Sequence, residues 1–216
     1  MSQQNSKIAD RPKRARKLSP EKRREQLIDC AIEIYANHGI EGARRSHVAL
    51  RAGVSVPTVY AYFDGRESLT EAVLNRVESR ITEIVWNAAA EGGLAFDKIL
   101  NVTRAFSNTV ELDPAIMKIW LDWSTTFENA TWKLYEDLQS RVANLFCEII
   151  GAGQTSRELS PDLDPKIAAY IIIGGGQMAA QMKLTSPAAI DIEVFLYQLV
   201  AGALQTNEIS TGEILV

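Results

Sequence analysis

Apolar residues recur at intervals of three and four along most of the chain, and no segment alternates apolar and polar residues over the length of a strand. The clearest early example is one helix face that carries Leu27, Cys30, Ala31, Ile34, Tyr35 and His38. Intervals of three and four place side chains on one side of an α-helix. The pattern therefore predicts an all-α fold.

Residues that begin or end helices divide this pattern into about nine segments. Ser19-Pro20-Glu21 supplies an N-cap, a proline at the first helical position and an acid in the first turn, and Gly39 ends that helix. Asp64 and Glu67 have the spacing of a capping box. Further boundaries are predicted at Asp113-Pro114, Gly151-Ala152-Gly153, Asp164-Pro165 and Ser186-Pro187. The helices are expected at about 20–39, 46–52, 55–63, 66–89, 95–110, 115–127, 131–150, 165–184 and 188–205.

The composition excludes several classes of protein. With 216 residues, of which 46% are hydrophobic and 23% charged, the chain can bury an ordinary globular core. Two distant cysteines and two histidines do not predict a disulfide framework or a metal site. No apolar run is long enough for a membrane span, and the polar N-terminus is unlike a secretory signal. We therefore expect a cytoplasmic protein with no metal and no cofactor.

The charge is unevenly distributed. Residues 1–80 hold 15 Lys and Arg against 10 Asp and Glu, whereas residues 81–216 hold 8 against 17. Within residues 1–24 the counts are 9 and 2. A basic N-terminal arm on an acidic body is typical of nucleic-acid binding, although a solvated tail without a partner has the same composition.

The segment that follows the arm favours nucleic-acid binding. Residues 46–63, SHVALRAGVSVPTVYAYF, predict two short helices joined at Gly53, with Val54 between them and Ser55 as the cap of the second. Val59 and Phe63 would face inward. Small side chains would then face outward on the second helix, as on a helix that enters the major groove of DNA. An ordinary helical corner is the alternative.

These residues carry a family resemblance. The run from Ala49 to Leu69, through AGVS, TVY, YF and RESL, resembles the DNA-binding domain of TetR-family transcriptional regulators. Residues 18–23, 54–59 and 73–75, and the tryptophan-rich stretch KIWLDWS at 118–124, are similar to the branch of quorum-sensing master regulators from vibrios. Ala61 stands where that branch typically has an asparagine, which leaves the operator sequence open.

The resemblance implies a division into domains and roles for individual residues. It implies a basic arm at 1–17, a helix-turn-helix domain at 18–65, a helical effector-binding and dimerisation domain at 66–208 and a tail at 209–216. Base edges would be approached by Val56, Pro57 and Thr58, on a helix capped by Ser55. Phosphates would be bound by Ser46, Tyr60, Tyr62 and Arg66, with Arg44 and Arg45 as alternatives, and the arm residues Arg14 and Arg16 would enter the minor groove.

The C-terminal body shows an aromatic stripe that has two interpretations. Trp120, Trp123 and Phe127 share one helix face, which is more often plain core than a binding site. The resemblance implies an apolar effector pocket instead, whose walls and polar groups would be Val102, Phe106, Trp120, Trp123, Ser124, Phe127, Gln139, Ile172 and Gly176. Gly174-Gly175-Gly176 would serve either a close helix approach or a cavity wall. Such a pocket suits a small apolar or amphipathic effector.

The last two helices carry more apolar surface than one core needs. The resemblance, together with the two-fold symmetry of operators, implies a homodimer. The helices would meet their copies through Ile167, Tyr170, Ile171, Met178, Phe195 and Leu199.

The expected function is a homodimeric regulator that binds a pseudo-palindromic operator. A quorum-sensing regulator and a local repressor of an adjacent gene both stay open. The body has no histidine and no nucleophile-base set, so we expect no enzyme. An all-α carrier or enzyme, and a helical adaptor whose arm binds protein or an acidic membrane surface, are the alternatives from other classes.

Overall fold

The computed structural model describes residues 18–125, 131–185 and 190–205, and this part of the chain forms nine α-helices and no strand. The predicted fold class is therefore confirmed. The helices are α1 Pro20–Gly42, α2 Arg45–Ala52, α3 Val56–Tyr62, α4 Gly65–Ala90, α5 Ala95–Leu112, α6 Pro114–Trp123, α7 Trp132–Thr155, α8 Pro165–Thr185 and α9 Ile192–Ala203.

Side-chain caps begin α1, α6 and α8 where the sequence predicts them, and a further cap begins α9. The hydroxyl of Ser19 accepts the amide N–H of Lys22 at the start of α1. The carboxylate of Asp113 caps α6, that of Asp164 caps α8, and that of Asp191 caps α9. These acceptors satisfy amides that have no partner inside the helix.

One predicted capping box is absent, and the predicted boundaries of α6, α7 and α9 are wrong, since α6 ends at Trp123 rather than near residue 127. Asp64 precedes α4 but its side chain makes no capping hydrogen bond, and Gly65 takes a positive φ of 94° instead. Helix α9 begins at Ile192 rather than near residue 188, because Asp191 supplies its cap. Helix α7 continues through Gly151 and Gly153 to Thr155, since helix packing outweighs the weak helix propensity of glycine.

The nine helices form a single packed arrangement. Helices α1, α2 and α3 pack together, and α1 also lies against α4 and α6. Helices α5, α7, α8 and α9 form the body, with α4 packed along α5. The N-terminal unit is thus joined to the body through α1, α4 and α6.

Candidate nucleic-acid interface and internal cavity

Helices α2 and α3 are joined by a short turn with a defined conformation. Gly53 is left-handed, with φ 65° and ψ 34°, and its amide bonds to carbonyls of Ala49 and Leu50. The amide of Val54 donates to Ala49 at 3.0 Å. The hydroxyl of Ser55 then accepts the amide of Thr58, which starts α3. The turn thus fixes α3 against α2.

Helix α3 has an inner and an outer side. Val59 and Phe63 are buried, as the sequence predicts. Thr58 and Tyr62 are half-buried. Exposed positions are occupied by Ser55, Val56, Pro57, Tyr60 and Ala61. The side chains on the outer side are therefore uncharged and, except for Tyr60, small. This allows close approach to a flat or grooved partner.

Basic side chains border this outer side. Arg44 is exposed just before α2, and the Arg45 guanidinium lies over the ring of Tyr60, 3.9 Å from its centroid. One terminal nitrogen of Arg45, Nη1, is buried and has no hydrogen-bond partner within the described residues. One surface cleft brings together six residues predicted to bind DNA: Arg44, Arg45, Ser46, Val56, Tyr60 and Arg66.

Arg66 is engaged within the protein itself. Its Nη2 donates to the carbonyl oxygens of Ile40 at 2.8 Å and Glu41 at 2.6 Å, and lies 3.5 Å from the Glu41 carboxylate. A phosphate would therefore compete with these acceptors for Arg66. The other arginines predicted to bind DNA from the arm, Arg14 and Arg16, lie outside the described residues.

This arrangement matches the chemistry of double-stranded DNA. An α-helix with small side chains fits the major groove, where base edges are read. Cations and hydroxyls beside it can neutralise and hydrogen-bond phosphates, which fixes the position of the helix without selecting sequence. The described residues hold no group of three His, Cys, Asp or Glu side chains placed to bind a metal.

A cavity of about 50 Å³ lies between the helices of the body and is partly open to solvent, since several of its lining residues are only half-buried. Six of the predicted pocket residues line it: Val102, Phe106, Trp120, Gln139, Ile172 and Gly176. Its other walls are Ile81, Val85, Thr103, Val142, Phe146, Ile173 and Gln177, from α4, α5, α7 and α8. The lining contains no charged side chain, so the cavity is suited to an uncharged occupant.

The remaining predicted pocket residues occupy other places. Trp123 is completely buried and does not line the cavity. The hydroxyl of Ser124 donates to the carbonyl of Leu121 and accepts from the amide of Gln177 at 2.7 Å, so it reaches the cavity only through Gln177. Phe127 lies outside the described residues. The predicted set of pocket residues did not include Gln177. A polar amide side chain beside Gly176 in an otherwise apolar helix could have indicated it.

Trp120 is at once part of the core and part of the cavity wall. It is 6% exposed and contacts three rings: Phe106 and Trp123 at centroid distances of 6.0 Å, and Tyr135 at 5.1 Å. Burial raises the pKa of Tyr135 to about 12, so this ring stays neutral. Trp120 is thus packed in the core and also lines the cavity, and its role in an effector pocket stays a prediction.

The triple glycine of α8 also serves both purposes that the sequence left open. A Cβ on Gly175 would collide with Leu199 of α9, so this position allows a close helix approach. Gly176 lines the cavity. A Cβ on Gly174 would meet nothing within 4 Å, because this residue is exposed.

Helix α8 presents an apolar face to solvent. Ile167, Tyr170, Ile171 and Met178 are exposed there, at intervals that keep them on one side with Gly174. Two other residues predicted for a dimer interface, Phe195 and Leu199, are half-buried against the core of their own chain. Ile190 and Tyr197, beside and within α9, are further exposed large apolar residues, which the sequence analysis did not name. Isolated exposed apolar residues are common, but a continuous apolar face indicates a partner.

No helix within residues 18–125, 131–185 and 190–205 has both the length and the apolar character needed to cross a membrane.

Comparison with known proteins agrees with the geometry. Residues 27–73 match the family model for bacterial regulatory proteins of the tetR family. The HTH-type transcriptional regulator LuxR of Vibrio harveyi is 33% identical over 159 residues, which cover 72% of this chain and 77% of that protein. The HTH-type transcriptional regulator BetI of Escherichia coli is 28% identical over 131 residues, 58% of this chain and 67% of that protein.

Solved structures show the same fold. A putative transcriptional regulator from Pseudomonas aeruginosa superposes with a TM-score of 0.73 at 20% identity, over 87% of this chain and 91% of that chain. FadR of Bacillus subtilis, solved in complex with stearoyl-CoA, superposes with a TM-score of 0.67 at 18% identity, over 83% and 97%. Helix order, turn geometry and sequence identity agree: the chain belongs to the TetR family and is a DNA-binding transcriptional regulator of that type.

Proposed function

We propose that this regulator acts as a cytoplasmic homodimer that binds a two-fold symmetric operator and responds to a small uncharged effector. We also propose that it has no enzymatic activity. DNA binding in this way is supported above all by the outer side of α3, whose side chains are mostly small and uncharged and are bordered by Arg44 and Arg45. The identity to LuxR of Vibrio harveyi supports a place in quorum sensing.

On the DNA, each α3 would enter the major groove. Val56, Pro57 and Thr58 would approach base edges, with Ser55 holding the start of the helix. Phosphates would be bound by Arg44, Arg45, Ser46, Tyr60 and Tyr62. Arg66 would bind phosphate only by exchanging its contacts with Ile40 and Glu41. Arg14 and Arg16 would add minor-groove contacts from the arm.

We propose a boundary near residue 65 between the DNA-binding domain and the effector-binding and dimerisation domain. Residues 1–17 would be the basic arm and 209–216 the tail, both outside the described residues. Helix α4 starts at this boundary and supplies Ile81 and Val85 to the cavity wall. It is therefore suited to transmit a change in the cavity to the DNA-binding domain.

The cavity determines the chemistry of the proposed effector. Its walls are apolar and carry no charge, and the hydroxyl of Thr103 already donates to carbonyls of its own helix. The buried indole N–H of Trp120 makes no hydrogen bond within the described chain, and the Gln139 amide also belongs to the lining. An uncharged, mainly apolar molecule with one or two acceptor atoms would satisfy these groups.

The small volume of the cavity means that the protein must change its conformation when an effector binds. A cavity of about 50 Å³ is too small for a typical ligand, since small-molecule pockets in proteins measure roughly 300–1,000 Å³. An effector must therefore displace side chains or whole helices to enter. A ligand shifts a conformational equilibrium only by its difference in affinity for the two states, and this need for expansion provides such a difference.

The dimer can be tested with one substitution and a matched control. Ile171→Glu places a carboxylate on the exposed face of α8, whereas Leu112→Glu changes an 81% exposed leucine at the end of α5. We expect the first variant to sediment as a monomer and to lose at least tenfold in operator affinity, since one half-site then binds alone. Leu112→Glu should behave like the unmodified protein. A dimeric Ile171→Glu variant with full affinity would contradict the proposed interface.

A further inference from the structure

The junction between α1 and α2 is held by side chains from elsewhere in the chain. Gly39 leaves the helical conformation, with φ 73° and ψ 167°, and the amide of Ala43 bonds back to its carbonyl at 3.1 Å. Arg66 of α4 donates to the carbonyls of Ile40 and Glu41. Residues 39–43 thus determine where α2 begins, and α2 carries α3.

Asp122 of α6 holds the same junction from the body. Its Oδ2 accepts the amide N–H of Ile40 at 2.6 Å, across 82 positions of sequence. The non-helical Gly39 turns that amide out of the helix, and the carboxylate replaces the helical acceptor. A Cβ built on Gly39 would lie at an ordinary contact distance of 3.4 Å from Oδ2, so the positive φ of 73°, rather than lack of space, favours glycine here.

The last turn of α6 also contacts the cavity. Trp120 lines it, and Ser124 accepts a hydrogen bond from Gln177, another lining residue. Asp122 lies between these two positions on a helix of ten residues. A helix this short moves as one body, so a displacement of Trp120 or Gln177 would also move the Asp122 carboxylate.

We propose that Asp122 is a positioning residue for DNA binding. By holding the Ile40 amide it fixes the start of α2, and with it the orientation of the reading helix α3, from within the C-terminal body. It also gives α6 a direct connection to the DNA-binding unit, separate from α4. The positioning role rests on the DNA-binding function, and the connection to the cavity rests on the proposed effector response.

Three full-length variants test the positioning role. Asp122→Ala removes the acceptor, and Asp122→Asn keeps an oxygen at the same place. Asp137→Ala is the control, since Asp137 pairs with Lys133 at the surface, far from Ile40 in the described part of the chain. Operator affinity is measured on a fragment obtained by binding-site selection, together with thermal unfolding and hydrogen exchange of the Ile40 amide. We expect Asp122→Ala to bind about tenfold more weakly, in keeping with the loss of one hydrogen bond to a charged group.

In the same experiment Asp122→Asn should stay within about twofold of the unmodified protein, and Asp137→Ala should be unchanged. The Ile40 amide should exchange faster in Asp122→Ala than in Asp122→Asn. Full operator affinity in Asp122→Ala, despite faster exchange at Ile40, would overturn the proposal. If Asp122→Ala does not fold, Asp122→Glu replaces it, because it keeps the charge but moves the carboxylate. Equal affinities of the Glu and Asn variants would then overturn the proposal.

A second pair of variants tests the connection to the cavity. Val142→Phe overfills the cavity from α7, and its effect on operator affinity is measured with Asp122 and with Asp122→Ala. We expect the effect to fall by at least half in the second background, and an equal effect in both would overturn the connection. If Val142→Phe changes nothing even with Asp122 present, the effector-cavity proposal fails, while the comparison of Asp122 variants still decides the positioning role.

Discussion

Two hydroxyl groups on α3 lie in different surroundings and should contribute to DNA binding in different ways. The hydroxyl of Thr58 pairs with that of Ser55 at 2.8 Å, at the end of α3 that would enter the groove. Tyr60 is 51% exposed and its ring lies under Arg45, beside the basic border. We therefore expect Tyr60→Phe to weaken binding to all sequences alike, and Thr58→Ala to change sequence preference. Competition binding over a randomised operator library separates the two, and uniform losses in both variants would contradict the orientation of α3.

Trp120 and Trp123 provide a comparison between a cavity wall and plain core. Trp123 is fully buried away from the cavity, so Trp123→Ala should cost about 3–5 kcal/mol of unfolding free energy. Trp120→Ala enlarges an existing cavity, and we expect a smaller cost together with altered operator affinity in a folded protein. Thermal unfolding and operator titration of both variants measure this. An equally large loss of stability in the two, or unaltered DNA binding by a stable Trp120→Ala, would remove the cavity role of Trp120.

The same residues show what sequence can and cannot predict at this scale. Val59 and Phe63 were predicted to be buried because spacing alone determines which side of a helix faces the core. The double role of Trp120 was not predictable, since spacing does not reveal which side of a buried ring lacks neighbours. The hydrogen bond between the Ile40 amide and Asp122 joins residues far apart in sequence, so no local sequence pattern predicts it.

At the scale of elements, two glycines of α7 explain why that helix is longer than predicted. A Cβ on Gly151 would meet nothing within 4 Å, whereas a Cβ on Gly153 would lie 2.7 Å from Cβ of Ala95. Gly151→Ala should therefore gain up to about 1 kcal/mol from helix propensity. Gly153→Ala should lose about 1–3 kcal/mol through overpacking. Urea unfolding of the two variants measures both changes, and a stabilised Gly153→Ala would show that α5 and α7 are not held this closely.

Helix α5 starts without a capping side chain of its own and is capped by Glu158. Oε2 of Glu158 accepts the amide of Ala95 at 2.8 Å, and Oε1 accepts the hydroxyl of Ser156. These bonds, that from Ala95 foremost, lower the pKa of Glu158 below its ordinary value. Its contribution to stability is therefore present above the unfolded-state pKa and is lost as the pH falls through the lowered folded-state value.

Glu158→Gln should consequently reduce stability at pH 7 and make little difference in strong acid. Urea unfolding at pH 7 and at pH 3 measures this, with Glu136→Gln of α7 as the exposed control. A difference between Glu158→Gln and the unmodified protein that is the same at both pH values would contradict the capping role.

Helix starts were predicted more accurately than helix ends, and the caps explain the difference. Each cap accepts the amide N–H of a residue two or three positions further along the chain, as Ser19, Asp113 and Asp164 do. The local sequence therefore contains the signal for a helix start. The end of α7 depends instead on the distance to Ala95 on another helix, which no neighbouring residue encodes.

At the scale of the whole molecule, α1, α4 and α6 connect the DNA-binding unit to the body that holds the cavity. Helix α1 packs on α6, and α4 runs from the reading unit to the cavity wall. Composition could not predict this arrangement, but the charge asymmetry between residues 1–80 and 81–216 does mark the DNA-binding end. The exposed apolar face of α8 lies in the body, where a second copy would set the distance between two reading helices.

The central claim is that two α3 helices, held by one dimer, read two half-sites. Sequencing of genomic fragments bound by the purified full-length protein at near-physiological salt tests it most directly. We predict an enriched inverted repeat whose half-sites are about 10 base pairs, or a small multiple of that, apart from centre to centre. Enrichment should disappear when Ile171→Glu replaces the unmodified protein. Bound fragments that share no sequence, or a single half-site bound equally well by both proteins, would contradict the account.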